Sequence, residues 1–147
     1  MFERILIAYD GSHGAEKALI KATGLAKLCG AQLIVLTVYR HHSMLEASLS
    51  MVRGSMEPGS NLDESMRGAA REAANFAKSH AKDAGVEQVS AFIKAGQPAR
   101  TIVGFAHEKN CDLIVVGSRG MGATESYLLG SVSHKVTGIA DCPVLVV

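Results

Sequence analysis

Short apolar runs alternate along this chain with segments of helical period, and few folds accept that alternation. Arg4 to Tyr9, Gln32 to Tyr39, Leu113 to Val116 and Pro143 to Val147 read as strands. The first has no polar face at period two, the mark of a strand buried on both sides. Val86 to Ala95 alternates more clearly through Val89, Ala91 and Ile93, as an edge strand does. Ser12 is placed to cap a helix whose positions 15, 18, 19, 22, 25 and 26 form one apolar face before Gly30 ends it. A second helix is expected from Leu62 to Ala84, with Leu62, Met66, Ala69, Ala73 and Phe76 on its inner face and Gly85 as its stop. Pro98 suits the first turn of a third, which carries Ala99, Ile102, Val103 and Ala106. A fourth presents Val132, Val136, Ile139 and Ala140. Strict alternation of strand and helix gives an open parallel sheet with helices on both faces, because right-handed crossovers are nearly obligatory. Residues 1–147 are therefore expected to form a single three-layer α/β domain.

Composition narrows the function classes. Hydrophobic residues make up 48% and charged residues 20%, so the chain is not intrinsically disordered. Fifteen Lys and Arg against fourteen Asp and Glu leave a formal charge of +1. That balance argues against long nucleic acids as partners and offers no polybasic patch to a membrane. Cys29, Cys111 and Cys142 are far apart and form no C-x-x-C pair, so they read as buried reduced thiols. No apolar run approaches the roughly 20 residues of a membrane helix. The first apolar run is too short and too soon charged for a signal peptide. A soluble, cytoplasmic protein is expected.

Residues 41–61 hold Met44, Met51, Met56, Gly54, Pro58 and Gly59 and read as a long loop with a short helical piece at 45–52. A connection of that length is either functional or mobile. Its methionines suit a lid, a partner surface or packing on the sheet.

In open parallel sheets, ligands bind beyond the carboxyl ends of the strands, where neighbouring crossovers leave toward opposite faces. The richest of those ends is Gly117-Ser118-Arg119-Gly120-Met121-Gly122, with Gly130-Ser131 after it at a helix start. Glycines let backbone N–H groups approach a ligand, and a helix N-terminus adds unsatisfied donors and partial positive charge, which suits phosphate. Ser131 and Ser133 add hydroxyls, and Arg119 adds a cation. Neither common phosphate fingerprint is met. Ala123 stands where a P-loop needs lysine, and G-x-G-x-x-G is broken at Glu125.

The spacing Gly117-x2-Gly120-x9-Gly130-Ser131 resembles the ATP-binding signature of the universal stress protein family. Four more segments are similar to that family in the expected order: Ile5 to Ser12, Gly96 to Ala99 with Ile102, Cys111 to Gly117, and Cys142 to Val147. The resemblance implies a flavodoxin-like five-stranded sheet of order 3-2-1-4-5 and membership of the ATP-binding branch. It also implies that Ala8 and Tyr9 line the nucleoside pocket, with Asp10 and the Val38 backbone at the adenosine end. Gly117, Ser118, Arg119 and Gly120 would wrap ribose and phosphates. Gly130, Ser131, Val132 and Ser133 would donate to phosphate. A carboxylate at Asp10 would repel phosphates, which agrees with a place beside ribose or adenine. Mg²⁺ is expected with the ATP, held by phosphate oxygens and water. The uncharged strand 143–147 falls at a sheet edge in that order, and an exposed apolar edge invites a homodimer.

The histidines give no catalytic constellation. His41 and His42 are adjacent and point apart on an extended chain, so they read as solvated loop residues. His80 is expected to be partly covered on the second helix, whereas His13 and His134 face the expected pocket. The leading function is an ATP-binding regulatory or stress-response module with slow or absent hydrolysis. A nucleotide-dependent enzyme (an ATPase or adenylyl transferase) and a nucleotide-free interaction module remain open alternatives.

Overall fold

β1 (Arg4–Ala8), β2 (Gln32–Tyr39), β3 (Val89–Ala95), β4 (Leu113–Val116) and β5 (Val144–Val146) lie in one parallel sheet of order β3-β2-β1-β4-β5. The order is the one the resemblance implies. The computed structural model describes residues 1–40, 60–119 and 129–147, the side chains of residues 60 and 61 excepted. Four helices connect the strands: α1 (His13–Cys29), α2 (Ser60–Asp83), α3 (Pro98–Glu108) and α4 (Ser131–Ile139). The loop expected over 41–61, with its helical piece, lies outside the described residues up to Ser60, where α2 begins. Among the described residues no helix is long and apolar enough to cross a membrane.

Strand parity divides the interior into two layers. Ile5, Ile7, Leu33, Val35, Leu113 and Val115 pack beneath α1 and α2. Leu6, Ile34, Leu36, Ile114 and Val116 pack beneath α3 and α4. Both side-chain sets of β1, β2 and β4 are therefore buried, which is why these strands read as continuous apolar runs.

Three helices stop in the same way. Gly30, Gly85 and Asn110 adopt positive φ of 64°, 108° and 56°. Each donates to a carbonyl three residues back, and the next residue (Ala31, Val86 and Cys111) donates to one five residues back. This double bond satisfies the last carbonyls of the helix, and the apolar residue after it is buried against its turn. Val86 is taken up by this cap. β3 therefore begins at Val89 and not at Val86, as the sequence suggests. At the other ends, Ser12 Oγ accepts from Ala15 N and Gln97 Oε1 accepts from Arg100 N, behind a first-turn Pro98.

The inner face of α2 differs from the expected one. Ala70, Ala74, Ala77 and Ala81 are buried, while Leu62, Ala69 and Phe76 are exposed and Met66 and Ala73 are half-buried. The face is turned by about one residue, roughly 100°. α2 lies against β2, β3 and α1, where methyl-sized side chains let the backbones approach, so the bulkier residues fall on the flank. On α4, Ser133 and Val136 are buried and Ile139 is exposed. His80 is exposed, not partly covered. Cys111 is buried, Cys29 and Cys142 are half-buried, and none forms a disulfide. Burial, reinforced by the Cys142 thiol, pushes Cys111 up to about 11, so it stays protonated at neutral pH.

The α2 assignment makes opposite demands on two substitutions. Ala77→Leu should destabilise the protein by ~1–3 kcal/mol through overpacking, whereas Leu62→Ala should change stability by less than about 0.5 kcal/mol. Urea denaturation of both variants checks this, and the reverse ranking would restore the face expected from sequence.

Candidate functional site

The sheet changes winding direction between β1 and β4, and the loops leaving their carboxyl ends diverge there. A cleft of about 480 Å³ opens at that point. Its floor is apolar: Leu36, Val38 and Val116 rise from the sheet, and Ile102 and Val132 descend from α3 and α4. The cleft thus occupies the α3/α4 side of the sheet.

One wall is the β1–α1 turn. Gly11, with φ of 83°, reverses the chain, and Ser12 N donates to Asp10 Oδ1 at 2.9 Å, which holds the carboxylate against its own turn. Ala8, Tyr9, Asp10 and Ser12 line this wall. The Tyr9 ring belongs to the opposite layer, where it is 3% exposed and stacks at 6.3 Å from Phe76. Burial, then the carboxylates of Glu16 and Asp10, raises its phenol above the ordinary value. Thr37 Oγ1 donates to Tyr9 O at 2.7 Å and fixes the backbone there.

The opposite wall is the end of β4 and the start of α4. Gly117, Arg119, Gly130, Ser131, Val132 and Ser133 line it. A Cβ on Gly117 would lie 2.8 Å from the carbonyl of Gly14, so only glycine lets the end of β4 approach the start of α1 this closely. Gly14 is equally constrained, since a Cβ there would meet Arg119 O. Ser118 sits behind the wall. Its N–H donates to Val147 O at 2.7 Å, and its carbonyl accepts from Gly130 N at 2.6 Å and from Ser133 Oγ at 2.8 Å. The Ser133 hydroxyl, 2% exposed, is thereby engaged within the protein. Gly130 precedes α4 without a side chain to cap it, which leaves the first N–H groups of the helix open to the cleft.

Ten of the twelve residues singled out from sequence meet in this cleft. Ser118 braces it from outside, and Gly120 lies outside the described residues. His13 and His134 are exposed and line no part of it; His134 faces a separate depression with Arg100 and Lys135. His41 and His42 are outside the described residues. Sequence reasoning passed over Arg40, Leu36, Pro98 and Ile102 as site residues, yet all four line the cleft. The signal was present: Leu36 and Arg40 flank Val38 at the strand period of two, and Pro98 and Ile102 share a helix face. Among the described residues no cluster of three His, Cys, Asp or Glu side chains could hold a metal ion.

The model of the universal stress protein family matches residues 1–147. A universal stress protein of Bacillus subtilis, YxiE, is 39% identical over 150 residues, covering 100% of this chain and 99% of its own. The solved UspA of Lactobacillus plantarum superposes with a TM-score of 0.85 at 25% identity, covering 99% of this chain and 97% of its own. A universal stress protein solved in complex with cAMP has a TM-score of 0.68, again at 25% identity, over 99% of this chain and 96% of its own. With the family model matched from end to end and a relative of this identity aligned over its full length, the chain belongs to the universal stress protein family.

Proposed function

We propose that the cleft binds ATP, with Mg²⁺ held by phosphate oxygens and water, and that nucleotide occupancy regulates a stress-response module. The observation that carries this reading is the division of the cleft. An apolar floor with one carboxylate, Asp10, lies toward β1 and β2, whereas uncapped helix N–H groups and Arg119 lie toward β4 and α4. An adenosine moiety suits the first region and a polyphosphate the second, since phosphate oxygens favour helix N-termini. The cAMP complex of a similar protein supports an adenine nucleotide in this fold. Binding without rapid turnover fits the residues. The P-loop lysine is absent, and Asp10 is the sole carboxylate lining the cleft among the described residues, at the end away from the phosphates.

Gly130→Val tests the reading. Gly130 has φ of −64° and ψ of 162°, extended backbone that valine accepts, so the fold should persist. Titration calorimetry should give the unaltered protein a micromolar dissociation constant for MgATP, about 8 kcal/mol. The valine side chain at the open helix end should weaken that affinity at least tenfold. Unchanged affinity would remove α4 from the site, and a turnover number at or above ~1 s⁻¹ would favour an enzyme instead.

A homodimer through strand 143–147 belongs to the same reading. Pro143 O, Val147 N and Val147 O bond inward to β4 or Ser118, so by alternation the N–H and C=O groups of Val144 and Val146 point out from the sheet edge. No charge protects this edge, and antiparallel pairing about a two-fold axis would satisfy both copies. Val146→Pro deletes one outward donor and no inward bond. Sedimentation should give a dimer for the unaltered protein and a folded monomer for the variant, and a dimer of unchanged strength would place the interface elsewhere.

A further inference from the structure

We infer that Arg40 closes the base end of the cleft by stacking its guanidinium on the purine, and so contributes to affinity for the nucleoside and not for the phosphates. This inference rests on the proposed nucleotide reading. Leu36, Val38 and Arg40 occupy alternate positions of β2 and its carboxyl end and line the same cleft. Leu36 is fully buried, Val38 half-buried and Arg40 exposed, so the three run from floor to mouth. Arg40 stands two residues beyond Val38, about 6.6 Å along the strand. An arginine stem spans that distance and can return over a base held at Val38.

Position in the sheet separates the two tasks open to a cation here. β2 is divided from β4 by β1, so the Arg40 backbone lies roughly 10 Å from the strand that carries Gly117, Ser118 and Arg119. The uncapped end of α4 is on that far side as well. Arg119 serves the phosphate wall, and Arg40 overhangs the apolar one. Pro98 and Ile102 of α3 offer aliphatic contact to a flat ring from the helix side, while the mouth side of the same region carries Arg40. Among the described residues Arg40 forms no ion pair that would have to break. A guanidinium is planar and weakly hydrated, and it stacks on π faces in a way an ammonium does not. The ring need not be adenine for this contact, so Arg40 sets the strength of base binding more than the identity of the base.

Affinities of one variant for a ligand series decide the matter. Adenosine, AMP and MgATP are titrated into the full chain and into Arg40→Ala. Stacking predicts that all three weaken by a common factor of about five- to thirty-fold, because they share the base. Arg40→Lys keeps the charge and loses the plane, so it should weaken adenosine nearly as much as alanine does. A loss confined to AMP and MgATP and restored by lysine would assign Arg40 to the phosphates and overturn the inference. Unchanged affinity for all three ligands would overturn it too. Failure of the unaltered protein to bind any of them would overturn the nucleotide reading itself, and the inference with it, and is recognised before any variant is measured.

Discussion

A methyl group does not fit between Gly117 and Gly14, and the geometry of the site depends on that close approach. The end of β4 meets the start of α1 backbone to backbone, with a virtual Cβ on Gly117 only 2.8 Å from the Gly14 carbonyl. Contact at this distance fixes the β1–α1 turn and the loop after β4 relative to each other across the point where the sheet reverses its winding. The Ser118 carbonyl then orients the start of α4 by accepting from Gly130 N and Ser133 Oγ. Its N–H ties the same loop to the end of β5. α4 therefore begins at a defined place and points its free amides into the cleft. A buried hydroxyl and two glycines set this wall, although none of the three need touch a ligand.

The sheet contributes by parity. Each interior strand sends alternate residues into two separate cores, so one turn can anchor itself on one side of the sheet and build a site on the other. Tyr9 illustrates this. Its ring is locked under α1 and α2 against Phe76, and the neighbouring Ala8 and Asp10 face the cleft. A bulky residue before the aspartate is accommodated because it points away from the ligand side. The same rule places Val38 and Arg40 in the cleft and leaves Thr37 to hold the Tyr9 carbonyl from below.

Legibility in the sequence depends on which forces are local. β2 spans Gln32–Tyr39, the range its β-branched run suggests, and Ser12, Gly30, Gly85 and Pro98 all punctuate helices where their backbone chemistry requires. The failures involve choices that only packing decides. The inner face of α2 is set by how closely the helix approaches β2, β3 and α1, and alanine wins there over Leu62 and Phe76 although both bury more area in principle. Val86 looks like the first residue of a strand, but its N–H is drawn back to Ala81 O. The family resemblance implies that Ser118 wraps ribose and phosphates; that its backbone N–H and carbonyl bond to the end of β5 and the start of α4 is a pairing invisible without the tertiary fold.

Charge in the cleft is arranged in space more than in amount. Ser12 N donates to Asp10 Oδ1, a bond that favours the carboxylate staying at its own turn. There it offers an acceptor to a hydroxyl or amino group. The α4 amides, by contrast, carry partial charge that cannot transfer a proton or act as a nucleophile. Helix-start donors and Arg119 at one end of the cleft, and Asp10 with Arg40 toward the other, give its two ends different chemistry. Among the described residues Asp10 is the one carboxylate lining the cleft, and no lysine or histidine lines it. On the proposed reading, the information in this protein is whether the cleft is filled. The shared contact of Ser118 with Val147 and Gly130 then links the filled wall to the strand edge, where a second copy would pair.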